Sequence, residues 1–166
     1  YDNFKSAKLI FEEIEDYTKI DLSKIIFDND KDRLNLTQFT QISIFTASIT
    51  IFKIYCSETD TDNDNINVMM GHSLGEYTAL ACSNKISLKD CSLILKKRGE
   101  LMNSAISPNE TGMAALIGKD SDTIQNIIKK NYLDLEIAND NSNIQIVISG
   151  NINEIKKSEN IFLNNG

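Results

Sequence analysis

Residues 68–80 read VMMGHSLGEYTAL, and the folding of this stretch decides the architecture around it. Gly71 and Gly75 flank Ser73 in a G-x-S-x-G pattern, with the apolar run INVMM at 66–70 before it and a helical pattern from Leu74 to about Ser83 after it. A buried strand, a sharp turn and a helix in that order form a nucleophile elbow, which presents a serine hydroxyl beside a helix N-terminus. The two glycines leave room for close packing at such a turn. Ser73 is thus the candidate nucleophile. The backbone N–H of Leu74, at the positive end of the helix dipole, is the candidate oxyanion donor. The five-residue pattern alone recurs by chance; the strand before and the helix after single it out.

A serine nucleophile needs a base, and His72 is the only histidine of the chain. It occupies the position before the serine, where its side chain leaves the turn in another direction. A base must reach the hydroxyl within hydrogen-bond distance and be oriented by a third group. His72 is therefore read as a packing residue supporting the elbow, not as the base.

Upstream, residues 4–17 carry Phe4, Leu9, Ile10, Phe11, Ile14 and Tyr17 at helical spacing, and a short helix DLSKIIF follows at 21–27. Residues 40–56 are apolar nearly all round. Their β-branched content suggests a strand, but their length favours a buried helix. SETDTDNDN at 57–65 is an acidic surface loop. It is not a calcium site, because the sixth loop position is Asn65 instead of glycine and the twelfth is Gly71 instead of glutamate.

Downstream, Ser87 caps a helix predicted to run to about Ala105, with Asp90 in the capping-box position, and Pro108 closes the segment. The pattern then changes. GMAALIG at 112–118 is a strand, 121–131 a helix, LDLEIAN a strand, NIQIVISG a strand and 151–163 a helix. One further strand would make this βαββα order a split βαβ unit.

Composition narrows the function. The 166 residues carry a net charge of −7, which argues against a nucleic-acid surface. Three cysteines without CxxC spacing and a single histidine make no structural zinc site, and no metal is expected. No apolar run reaches the length of a membrane span, so no membrane partner is expected. A chain starting without Met and stopping at FLNNG is read as a fragment or a trimmed mature form. Free thiols suggest a bacterial cytoplasm. The Asn, Ile, Lys and Asp bias also fits a eukaryotic protein of a plastid or mitochondrial matrix.

The stretch GHSLGEYTALACSNKISLKDCSLILKKRGELMNSA at 71–105 resembles the malonyl-CoA:acyl carrier protein transacylases and the related acyltransferase domains of fatty-acid and polyketide synthases. TQISIFTAS, GMAALIG and NDNSNIQIVISG extend the likeness over almost the whole chain. The resemblance implies an α/β fold. Part of a hydrolase-like parallel sheet core would take residues 1–111, and part of an inserted ferredoxin-like subdomain residues 112–166. It implies that Ser73 is acylated, that Leu74 N–H serves the oxyanion hole, and that Arg98, in the RG pair twenty-five residues after the serine, meets a malonyl carboxylate. A guanidinium can grip a carboxylate bidentately. Without the resemblance, Arg98 reads as a solvated member of the basic run Lys96, Lys97, Arg98. Gln41 and Asn141 match a pocket glutamine and an active-site asparagine; simple polar capping is the alternative for both. The family's second oxyanion loop, its catalytic histidine and a late glutamine would lie outside these residues.

The expected activity is malonyl transfer from malonyl-CoA to the phosphopantetheine thiol of acyl carrier protein, with the CoA thioester as substrate and no bound cofactor. Two rivals stay open: a serine esterase or thioesterase on the same elbow, and a non-catalytic docking or remnant domain.

Overall fold

The computed structural model describes residues 1–105 and 110–166, so the expected role of Pro108 lies outside the described residues. The chain divides into two compact units, Tyr1–Ala105 and Ile106–Gly166. Residues 110 and 111, expected in the first region, belong with the second. Thr111 pairs with Asn151, and the Glu110 carbonyl accepts from Ile152 N at 3.1 Å.

The first unit is helical: α1 (Lys5–Thr18), α2 (Leu22–Phe27), α3 (Lys31–Leu34), α4 (Thr37–Glu58), α5 (Leu74–Cys82) and α6 (Leu88–Ser104). In α1, Ala7, Phe11, Ile14 and Thr18 recur every three or four residues and are buried, so one face enters the core. Its C-terminal carbonyl, that of Thr18, accepts from Lys96 Nζ at 2.8 Å. α4 is the central helix, packed against α1, α5 and α6. Its β-branched residues are held helical by this packing, which outweighs propensity. Thr46, fully buried, hands its hydroxyl back to the Ile42 carbonyl at 2.8 Å. By length and composition α4 could cross a membrane, contrary to the expectation from the sequence. Ile42, Phe45 and Ile49 instead join Phe11, Ile14, Leu22 and Leu95 in a hydrophobic core. At α6, Ser87 Oγ accepts from Asp90 N at 3.0 Å and donates to the Asp90 carboxylate at 2.7 Å, closing the expected cap.

The second unit is β1 (Thr111–Ile117), α7 (Ser121–Lys130), β2 (Leu135–Ser142), β3 (Gln145–Asn151) and α8 (Ile152–Asn164). The sheet order is β1-β3-β2 with both pairings antiparallel. β3 thus lies between the two strands that α7 connects, as the split βαβ pattern requires. Ala114 faces Ile148 across β1–β3, and Ile137 faces Ile148 across β2–β3. Ile146 and Ile148 are buried under Ile124, Ile127 and Ile128 of α7 and Phe162 of α8.

One expectation fails. Residues 66–70 carry no strand, and the described residues of the first unit form no parallel sheet. A strand exists only through a ladder with a neighbour, and the described residues offer none there. Val68 and Met70 consequently stay exposed.

Candidate active site

Ser73 precedes α5 as its N-cap, with φ 54° and ψ −108°. Positive φ is uncommon for a residue with a Cβ, and a conformation of this kind costs about 1–3 kcal/mol. The surrounding turn enforces it: Gly75 N donates to the His72 carbonyl at 2.9 Å, and Glu76 N to the Ser73 carbonyl at 3.2 Å. A Cβ on Gly71 would overlap the Gly75 backbone carbonyl, so only glycine fits there. Gly75 differs from the expectation, since a Cβ on it meets nothing within 4 Å.

The Ser73 hydroxyl makes no cap to its own helix. It is exposed and accepts from Arg98 Nη2 at 2.9 Å. Arg98 Nη1 donates to Gln41 Oε1, and Gln41 Nε2 donates to Met102 Sδ at 3.2 Å. The Arg98 guanidinium also lies over the Tyr77 ring, 5.7 Å from its centroid, a cation–π distance. Leu74 opens α5, and the first N–H groups of a helix have no acceptor within it. Ser73, Leu74, Arg98 and Gln41 are thereby brought together.

The basic run around Arg98 splits by helix face. Lys96 caps α1, Lys97 meets Glu100 at 3.8 Å on the surface, and Arg98 turns to Ser73. Among the described residues no ion pair involves Arg98. Its partners there are an amide, a hydroxyl and a phenol ring, so its charge is held by neutral groups.

His72 is exposed and lines an open groove of about 690 Å³ with Ile44, Val68, Met70, Leu74 and Thr78. Asn141 belongs to the second unit, on β2, where its Nδ2 donates to Gln145 Oε1 at 3.3 Å. Its place in a site rests on the resemblance alone. The cysteines take no part. Burial pushes the Cys82 and Cys91 thiols up to about 11, and Cys91 Sγ donates to the Tyr77 carbonyl at 3.3 Å.

Three contributors were not identified from the sequence. Tyr77 lies one turn after Ser73 within the quoted motif. Met102 lies one turn after Arg98. Gly99 is buried in α6, and a Cβ there would come 2.8 Å from Gln38 Cα, so its absence lets α6 close on α4 beside Gln41. A glycine inside a helix costs stability and asks for such a reason. That signal was available.

The acyl transferase domain family matches residues 6–159. The chain is 32% identical over its whole length to a malonyl CoA-acyl carrier protein transacylase of Bacillus subtilis, covering 52% of it. Over 92% of the chain it is 35% identical to one of Buchnera aphidicola, covering 49% of that protein. An acyl-carrier-protein S-malonyltransferase structure from Bartonella henselae superposes with a TM-score of 0.88 at 33% identity, over 99% of this chain and 53% of that one. A malonyl transacylase solved in complex with a type II polyketide acyl-carrier protein gives 0.86 at 28% identity, again over 99% and 53%. The chain spans about half the length of the curated relatives it matches. These likenesses supply the α/β fold class that the described residues, with one small antiparallel sheet, display only in part. On the match from 6 to 159 and the shared fold, the chain belongs to the acyl transferase domain family.

Proposed function

We propose that the protein carrying this chain transfers a malonyl group from a CoA thioester to the phosphopantetheine thiol of an acyl carrier protein. The observation that carries this reading is Arg98, a cation held by neutral partners within hydrogen-bond reach of the hydroxyl of Ser73, whose backbone is strained. A cation so placed suits an acyl group that brings its own carboxylate, and a guanidinium can bind that carboxylate through two parallel N–H donors. A hydrolase of neutral esters has no use for it.

The chemistry proceeds in two halves. Ser73 Oγ attacks the thioester carbonyl carbon, the C–S bond breaks, and CoA leaves as the thiol, carrying the proton that Ser73 loses through a general base. Leu74 N–H stabilises the oxyanion formed on the way. The carrier thiol then attacks the malonyl ester, its proton passes to Ser73 through the same base, and the serine is regenerated. The resemblance assigns that base to a histidine other than His72. The malonyl transacylase names among the relatives support the same substrate class.

The test is mass spectrometry of the intact protein after incubation with malonyl-CoA. One malonyl mass should be gained, and Ser73→Ala should abolish the gain. Labelling that survives Ser73→Ala overturns the proposal.

A further inference from the structure

The Arg98 guanidinium has five donors and no acceptor, so whatever faces it must accept. Gln41 does so through Oε1, and a flipped amide would set two donors against each other. Its NH2 group is therefore committed to the opposite direction. Gln41 is only 6% exposed, and an amide N–H buried without an acceptor is costly. The acceptor present is the Met102 thioether, 3.2 Å from Gln41 Nε2.

Arg98 and Met102 stand one turn apart on α6, and Gln41 reaches both from α4. Gly99 between them permits the close approach of the two helices that the relay needs. One helix thus supplies both the cation and the acceptor that secures the cation's partner. Met102 is 51% exposed, so burial alone does not account for a methionine there.

We infer that Met102 is a positioning residue: its thioether holds the Gln41 amide, and the amide holds the Arg98 guanidinium toward Ser73. This rests on the reading of Ser73 and Arg98 given above. Met102 touches no reacting atom; its effect passes through Gln41. A leucine keeps the volume and removes the acceptor. The Gln41 NH2 group then has lost this acceptor, the amide is anchored at its oxygen end alone, and its hold on the guanidinium loosens.

The experiment measures malonyl and acetyl loading of Ser73 from their CoA thioesters in the full-length protein. Losing one neutral hydrogen bond from the relay should lower the malonyl-to-acetyl ratio about three- to tenfold in Met102→Leu. The loss should appear in KM for malonyl-CoA. Met102→Gln returns an acceptor and should recover much of the ratio. Norleucine at position 102, isosteric with methionine but lacking sulfur, should behave as leucine does and decides the matter if leucine disturbs folding. A ratio within about twofold of wild type in the leucine and norleucine forms overturns the inference, as does an equal loss in Met102→Gln. If the wild type does not load malonyl at Ser73, the proposed function fails and the positioning role falls with it. An unchanged ratio in a wild type that does load strikes the positioning role alone.

Discussion

In the second unit, the apolar run at 146–148 lies in the central strand β3, with Ile146 and Ile148 buried beneath α7 and α8. In the first unit, the apolar run at 66–70 forms no strand, and Val68 and Met70 are 67% and 84% exposed. Both stretches carry isoleucine and valine, the residues that favour strands. What separates them is the company each keeps. β3 has a ladder partner on either side within a few dozen residues of chain, whereas the described residues of the first unit bring no strand to 66–70. Strand propensity expresses a fit to neighbours more than a backbone preference. The site stands in the unit whose geometry is set by tertiary contact. Its serine is strained, its glycine contacts are backbone to backbone, and its cation and amide lie 57 residues apart in sequence.

The contrast breaks most sharply at the elbow. Gly71→Ala would drive a Cβ into the Gly75 carbonyl and displace Ser73. Malonyl loading should fall on the order of 10²-fold, the effect of a roughly ångström-sized misplacement of a catalytic group. Gly75→Ala, which meets nothing, should cost far less. Initial loading rates of the two variants check this. Equal losses would show that the turn is not held by the Gly71–Gly75 approach.

A smaller effect sharpens the difference between the two cores. The first contains the buried thiols of Cys82 and Cys91, pushed by burial from 9.0 to about 11, and the second contains no cysteine. A folded-state value above the unfolded one means that the native chain keeps protons that the unfolded chain releases. That stability is fully present below pH 9.0 and is lost as pH rises toward about 11. The urea midpoint should drop between about pH 9 and pH 11, by an amount that shrinks in a Cys82→Ala, Cys91→Ala double variant. An identical drop in both proteins would remove the thiols from the explanation.

Legibility in the sequence followed the same division. Every element of the second unit was predicted within a few residues, because period-two and helical patterns there meet local partners and Asp120 marks the start of α7. In the first unit α1, α2, α4, α5 and α6 were predicted, but the four-residue α3, capped by Asp30, is too short to show a period. Ser73 and Leu74 were singled out by the glycine pattern and the helix that follows, although the strand expected before them does not form. Arg98 was not, since a run of three basic residues looks solvated until the helix divides it between α1, solvent and serine. Its role came from the family resemblance. Met102, Tyr77 and Gly99 stayed hidden because each acts on a residue brought near only by the packing of α6 on α4 and α5.

The pairing of a neutral-partnered Arg98 with Ser73 is tested most directly by the acyl preference of the serine. Malonyl and acetyl loading from their CoA thioesters should be compared in the full-length wild type and in Arg98→Ala. The wild type should prefer malonyl by about two or more orders of magnitude, because an acyl group without a carboxylate leaves the guanidinium unmatched. Arg98→Ala should erase most of that preference. A malonyl-to-acetyl ratio unchanged by the substitution would make Arg98 a surface cation and shift the balance to a hydrolase.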